Sequence, residues 1–421
     1  MLDIKFIREN ADRVRENCKH KNDTSDITAL LSRDSDRRSI IVQVEDLKAN
    51  RNAVSQRIAE MKRLGEDASD AIEKMRAVSD NIKQLDDELR AIELDIEERM
   101  LRIPNMAHES VPVGRDASDN TEVRRVGSCA ERGHRVDHIE VSRKLGVLDF
   151  ERAAKVSGSG FAFYVDKGAK LERALLSYFL DVNTEFHGYT ELMPPFMVNA
   201  DSLRGTGQLP KSQEDMYHME RDDLYMIPTA EVPITNFHRD EILNGDSLPI
   251  KYCGYSACFR REAGSHGKDT RGFLRVHQFN KIELVKFVKP QESYNELEQM
   301  VGNVEYILQQ LGFTYRVLLL CTGDMTFGGA KTYDLEVWSP FEQRWLEVSS
   351  CTNFESYQAR RASIRFKDTP ASKPEFVHTL NGSGLATSRI MVALLEQYQN
   401  PDGTITIPEV LRPYCGFDTI A

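Results

Sequence analysis

Phe259-Arg260-Arg261-Glu262-Ala263-Gly264, a polar glycine-bearing loop to Arg271-Gly272, and the alternating run Phe273, Arg275, His277, Phe279, Lys281, Glu283 form the stretch on which the fold turns. It reads as a strand, a loop and a second strand built around one ligand. Side chains two apart share a strand face, so Arg275, Phe279 and Glu283 fall on one side, while Leu274, Val276, Ile282 and Leu284 supply apolar groups to the other. A buried antiparallel strand does not carry such charges without something for them to bind. At ~3.4 Å per residue, the four-residue steps along this face are ~13 Å each, roughly the reach of a nucleotide bearing a small group on its phosphate. An aromatic plane flanked by a guanidinium and a carboxylate suits a base, a phosphate and an amine.

Working outward from this hairpin, the pattern predicts a helix over 170–186, strands near 225–227, 317–321, 333–338 and 345–348, and a last helix over 385–398. Helices do not alternate one-for-one with strands. That favours an α+β fold, an antiparallel β-sheet flanked by helices, over a doubly wound parallel sheet.

The N-terminal part is different. Apolar residues at Ile40, Val44, Leu47, Val54, Ile58 and Met61, and again at Met75, Val78, Ile82, Leu85, Leu89, Ile92 and Ile96, keep heptad spacing, and Gly65-Glu66-Asp67-Ala68-Ser69 separates the two runs with turn chemistry. They predict an antiparallel helical coiled-coil hairpin, an arm of about 40 Å at ~1.5 Å per residue. Residues 37–63 hold seven Lys or Arg against three Asp or Glu, and 70–102 hold six against ten, so the arm has one basic and one acidic helix. A basic helix on a long arm suits a phosphate backbone. Pro104 ends the second run, and the Pro, Gly, Ser, Asp and Asn content that follows reads as a linker. The expected domains are 1–103 (N-terminal arm), 104–135 (linker) and 136–421 (catalytic domain).

Composition narrows the class. The 421 residues carry a net charge of -11, which disfavours non-specific adhesion to nucleic acid and asks any RNA partner to meet a local basic surface. No apolar run approaches the ~18 residues of a membrane helix, and the N-terminus has no signal-peptide block, so the expected location is cytoplasmic, without membrane. Seven cysteines with no Cys-x-x-Cys pair fit reduced thiols better than disulfides or zinc.

Other polar clusters sit near strand ends. Gly205-Thr206-Gly207-Gln208-Leu209-Pro210 is a tight loop. Thr229 and Glu231, read as extended, share a face. Glu347-Val348-Ser349-Ser350 brings hard oxygen ligands of the kind that hold Mg²⁺ together with phosphates. Asn381-Gly382-Ser383-Gly384-Leu385 reads as the opening of the last helix, whose next turn carries Arg389. Singly, each has an ordinary explanation: a surface carboxylate, a turn hydroxyl, a helix cap. Together, with no Gly-x4-Gly-Lys-Ser/Thr loop in the chain, they describe a nucleotide site that grips phosphates with side chains.

The whole chain resembles the bacterial-type seryl-tRNA synthetases of class II. His187-Gly188-Tyr189-Thr190-Glu191-Leu192-Met193-Pro194-Pro195 is similar to the first class II motif, which in the family lies at the dimer interface. Arg260-x-Glu262 through Phe279 is similar to the second, and Gly382 to Arg389 to the third. Thr229-Ala230-Glu231, the 205–210 loop and the arm are similar to features of the seryl branch. The resemblance implies a serine–tRNA ligase that forms seryl-adenylate from L-serine and ATP with Mg²⁺ and charges tRNA(Ser), and tRNA(Sec) where it exists. It implies a homodimer in which the arm of one subunit serves the other's active site.

Carried over by position, the resemblance assigns ATP to Arg260, Arg261, Glu262, Arg275, Val276, Phe279, Glu347, Val348, Ser349, Ser350 and Arg389. Arg260 falls on the α-phosphate and the reacting carboxylate, Glu262 near adenine, and Arg275 and Arg389 on the outer phosphates. Phe279 with Arg389 would sandwich the ring; Arg260, Glu262 and Arg389 are the catalytic set; Glu347 and Ser350 would bind Mg²⁺. Thr229, Ala230, Glu231, Arg260, Glu283 and Ser383 would surround serine. Arg261 and Ser388 depart from the common pattern, which has a small residue and a glycine there. The rivals are an RNA-binding relative without catalysis, a ligase charging a carrier thiol, and threonyl or prolyl specificity. The charged ligands Arg260, Glu262, Arg275, Glu347 and Arg389 argue against the first, the arm and the missing thiolate set against the second, and Thr229, Glu231, Glu283 and Ser383 against the third.

Overall fold

A computed structural model describes residues 1–263 and 272–421; the loop 264–271, with Gly264 and Arg271, lies outside the described residues. The chain divides into two compact units. One comprises Leu2–Lys19 and Asp23–Ile103. Its long helices are α1 (Ile27–Leu64) and α2 (Ser69–Leu101). With 38 and 33 residues they run about 57 and 50 Å at ~1.5 Å per residue, longer than the heptads alone imply. The extra length lies at the start of α1, where the Asp26 side chain caps the helix by accepting from Ala29 N, well before the first heptad position. Gly65, in the left-handed conformation at φ 76°, ends it. Ile40, Val44 and Ile58 on α1 and Ile82, Ile92 and Ile96 on α2 are buried, as the heptad spacing requires. The ion pairs Arg33–Asp95 (3.1 Å) and Lys48–Asp86 (3.2 Å) join the basic helix to the acidic one.

The other unit, which holds Pro104–Ala421, is built on a sheet of eight strands among the described residues. These are β1 (Thr121–Val126), β2 (Thr190–Glu191), β3 (Ile250–Phe259), β4 (Gln278–Val288), β5 (Tyr315–Leu319), β6 (Lys331–Ser339), β7 (Arg344–Asn353) and β8 (His378–Ala386), in spatial order β1-β5-β6-β7-β8-β4-β3-β2. All neighbours are antiparallel except β2, which pairs parallel to β3 through Thr190 and Glu191. The helices α3 (Lys167–Asp181), α4 (Ser293–Gln310) and α5 (Thr387–Gln397) join the sheet in one buried cluster. There Leu297, Met300, Val304 and Leu394 meet Ile282, Leu284, Leu335 and Leu380. On β4 the even positions Ile282 and Leu284 face this core, and the odd positions Phe279, Lys281 and Glu283 are left for the site.

Several expectations change. Residues 104–135 belong to the sheet's unit rather than forming a separate linker: β1 is an edge strand paired with β5. Its side chains are all exposed, so backbone pairing makes the strand and no alternation betrays it. Phe273 lies in a turn and Leu274 to His277 in bends and irregular chain, and the second strand of the hairpin starts at Gln278. The 381–385 segment is the interior of β8, not a helix opening, because strands crowd it from both sides. A Cβ on Gly382 would meet Cys351 Sγ and Met300 Sδ at 2.8 Å. No helix among the described residues is long and apolar enough to cross a membrane.

Candidate active site

β3 ends at Phe259, and the chain then places Arg260 with its backbone N donating to His277 O (3.0 Å) and Nε donating to Pro228 O (3.3 Å). The Arg260 guanidinium stands 5.1 Å from the centre of the Phe279 ring. Glu262 has φ 52°, and its carboxylate accepts from Arg275 Nη1 at 2.5 Å. From the first turn of α5, Arg389 donates through Nε to Leu274 O (3.2 Å) and through Nη1 to Glu347 O (2.7 Å). A cavity of about 220 Å³ is walled by Arg260, Glu262, Arg275, Phe279, Glu347 and Arg389, with Val276 and Val348 beside them. Three guanidiniums, two carboxylates and one aromatic ring are the groups a nucleoside triphosphate asks for.

A second cavity, of about 290 Å³, shares Arg260, Lys281, Glu347 and Ser383 with the first and adds Thr229, Glu231, Glu283 and Ser350. Thr229 and Glu231 do not lie on an extended segment: Thr229 sits in a bend, and Glu231 opens a short helix, Glu231–Asn236. The bend still aims both inward. Thr229 Oγ1 donates to Glu283 Oε2 (2.8 Å) and accepts from Glu231 N (3.2 Å) and Lys281 Nζ (2.9 Å). The Lys281 ammonium also contacts Glu283 Oε2. Glu231 Oε1 accepts from Gln358 Nε2 at 2.6 Å, and Oε2 from Gln208 Nε2 at 3.4 Å. Burial, and then the neighbouring Glu283 carboxylate, push the Glu231 carboxyl up to about 7. Across the β4–β8 pair, Ser383 stands opposite Glu283.

Three expected residues take other positions. The Arg261 side chain is absent from both cavity walls and donates to Glu214 O (3.1 Å), pinning the 213–215 turn. Ala230 is wholly buried and packs in an apolar cluster with Val285 and Phe287. The Ser349 hydroxyl donates to Ser383 O (2.7 Å). A register shift between β6 and β7, where Leu335 faces Ser349 and Glu336 faces Glu347, breaks the alternation, so Glu347, Val348 and Ser350 line the cavities while Ser349 does not.

Sequence reasoning missed Lys281 as a pocket residue, Gln208 and Gln358 as partners of Glu231, and Asp334 behind Ser350. Lys281 shares its face with Phe279 and Glu283, and Gln208 lies in the quoted loop; both signals were present. Gln358 comes from the short helix Tyr357–Arg361, and nothing local points to it. Asp334 is the cross-strand partner of Ser350, its Oδ1 is buried without a hydrogen-bond partner, and burial followed by the Glu347 charge holds its carboxyl well above the usual range. Among the described residues no group of three or more His, Cys, Asp or Glu side chains is set to hold a metal alone. Glu347 and Ser350, with the orphaned Asp334 oxygen behind them, are an incomplete set of hard oxygen donors, which suits a divalent cation shared with phosphates.

Comparison with known proteins identifies the family. A family model for the seryl-tRNA synthetase N-terminal domain matches residues 1–107, and one for the class II tRNA synthetase core domain (G, H, P, S and T) matches 216–398. A serine–tRNA ligase of Chloroherpeton thalassium is 55% identical over 426 residues, covering 100% of both chains. The crystal structure of a seryl-tRNA synthetase from Pyrococcus horikoshii complexed with ATP aligns at a TM-score of 0.95, with 38% identity over 100% of this chain and 99% of that one. The crystal structure of A. aeolicus tRNASec in complex with M. kandleri SerRS aligns at a TM-score of 0.59 with 20% identity over 81% of this chain and 69% of that one, a likeness of fold.

Proposed function

The chain belongs to the seryl-tRNA synthetase family, class II ATP-dependent aminoacyl-tRNA ligases, and from that premise we propose how its own residues perform the reaction. In the first step a serine carboxylate oxygen attacks the α-phosphorus of ATP in line, and pyrophosphate leaves. Arg260 bridges the carboxylate and the α-phosphate and offsets the charge that grows there. Arg275 and Arg389 exchange their carboxylate partners, Glu262 and Glu347, for the outer phosphates, and Phe279 offers its face to adenine. The serine ammonium goes to Glu231 and the hydroxyl to Glu283, with Thr229 and Ser383 completing the pocket. Glu347 and Ser350 would hold Mg²⁺, which supplies charge neutralisation on the phosphates when bound. In the second step the terminal ribose hydroxyl of tRNA(Ser) attacks the seryl carbonyl, and AMP leaves.

The observation that carries this reading is the shared wall: Arg260, Lys281, Glu347 and Ser383 line both the guanidinium-rich and the carboxylate-rich cavity, so a nucleotide and an amino acid meet at Arg260. The basic helix α1 suits the backbone of a long RNA stem, and the relative solved with tRNASec favours extending the activity to tRNA(Sec). Phe186 and Met193, 68% and 83% exposed beside β2, support a homodimer through the first motif, with the arm of one subunit serving the other's site. On this reading residues 1–103 are the tRNA-binding domain and 136–421 the catalytic domain of a cytoplasmic enzyme.

Amino-acid-dependent exchange of pyrophosphate into ATP tests it, across serine, threonine, alanine, glycine and proline. Exchange with serine alone, lost in Glu283→Ala, is the expected result. Folded protein that exchanges with none of them in the presence of Mg²⁺ would sink the catalytic reading.

A further inference from the structure

Lys281 is buried, and it has no role in the reaction as set out above, yet it lines both cavities. Among the described residues its ammonium contacts Glu283 Oε2 and Thr229 Oγ1. The Thr229 hydroxyl has one proton to give and two lone pairs, and all three are engaged: it donates to Glu283 Oε2 and accepts from Lys281 Nζ and Glu231 N. Thr229 is therefore saturated without substrate, and its hydroxyl orients other groups rather than reading the amino acid. Glu283 Oε2 takes both the lysine and the threonine, so among the described residues Oε1 is the oxygen of this cavity-lining carboxylate that neither of them occupies.

We propose that Lys281 is the positioning residue of the amino-acid pocket: it clamps Glu283 Oε2 so that Oε1 alone is offered to the substrate hydroxyl, and so sets the preference for serine over alanine. The proposal rests on the reading of this cavity as the serine pocket. A carboxylate oxygen offered to the substrate is satisfied by a hydroxyl and left unpaired by a methyl group. Without the ammonium, the Glu283 carboxylate keeps only the Thr229 hydroxyl on Oε2 and, in the cavity it shares with Glu231, is free to turn, which removes the fixed acceptor.

The test is pyrophosphate exchange by the full-length protein carrying Lys281→Met, Lys281→Arg or Glu283→Gln. Lys281→Met is expected to raise KM for serine at least about tenfold, to leave KM for ATP within about twofold, and to narrow the serine-to-alanine ratio of kcat/KM. Lys281→Arg, which restores the charge, is expected to recover much of that loss. Where Lys281→Met does not fold, Lys281→Gln takes its place, with the same serine-only defect expected. A Lys281 variant with unchanged serine KM beside an impaired Glu283→Gln overturns the clamp, as does equal damage to serine and ATP or an arginine variant no better than methionine. If Glu283→Gln itself leaves serine untouched, the pocket reading fails, and that result is distinct from failure of the clamp alone.

Discussion

Arg389 Nη1 donates to the backbone carbonyl of Glu347 at 2.7 Å and lies 3.3 Å from the same residue's carboxylate. The cation proposed for phosphate and the carboxylate proposed for the metal thus neutralise each other across α5 and β7. Arg275 and Glu262 repeat the arrangement at 2.5 Å. Paired charges avoid the cost of isolated ions, and on the proposed reading ATP with its cation would exchange each pair for a better one.

Arg389→Ala should therefore act on the nucleotide and not on the amino acid. Its kcat/KM for ATP in pyrophosphate exchange is expected to fall roughly 10²–10³-fold, with serine KM little changed. Steady-state titration of each substrate in turn reads the difference.

Serine binding should tighten as pH rises through about 7. The Glu231 carboxyl is held up to about 7 by burial and by Glu283, and an incoming ammonium favours its ionised form. Binding near pH 6.5 then releases a proton. Because the folded value lies above that of the unfolded chain, the stability contributed by neutral Glu231 is fully present below the usual carboxylate range and is lost as pH rises to about 7, a change on the order of 3 kcal/mol. Serine KM measured across this range should show the step, and Glu231→Gln should flatten it.

Gly382→Ala should destabilise the catalytic unit. The added methyl would meet Cys351 Sγ and Met300 Sδ at 2.8 Å, between β7 and α4, so strand or helix must move. Overpacking of this kind costs about 1–3 kcal/mol. A lower urea midpoint, followed by near-ultraviolet circular dichroism, is the check.

Replacing Arg57, Lys62 and Arg63 on α1 with alanine should lower aminoacylation of tRNA while leaving pyrophosphate exchange intact. Each lost phosphate contact should also reduce the salt dependence of tRNA binding by a slope of about 0.7–0.9. Filter binding at several salt concentrations measures that slope, and equal loss in both assays would remove the arm from RNA binding.

Local pattern made much of this protein legible. The heptads of Ile40 to Ile96 dictate the hairpin because a 3.5-residue repeat buries only when two helices pair. Period-two alternation at Phe279 and Glu283 exposes a polar strand face because strand geometry leaves no other arrangement. Similarity of motifs supplied Arg260, Glu262 and Arg389. What tertiary structure alone decided lies between elements distant in sequence. Gln358 reaches Glu231 from 127 residues away, Asp334 stands behind Ser350 across a strand pair, and the polar segment at Thr121–Val126 becomes an edge strand by backbone pairing that no side chain announces. A side chain's neighbours along the chain follow from its own sequence, whereas a carboxylate's charge state and a hydroxyl's last free lone pair depend on groups that only folding brings within ~3 Å.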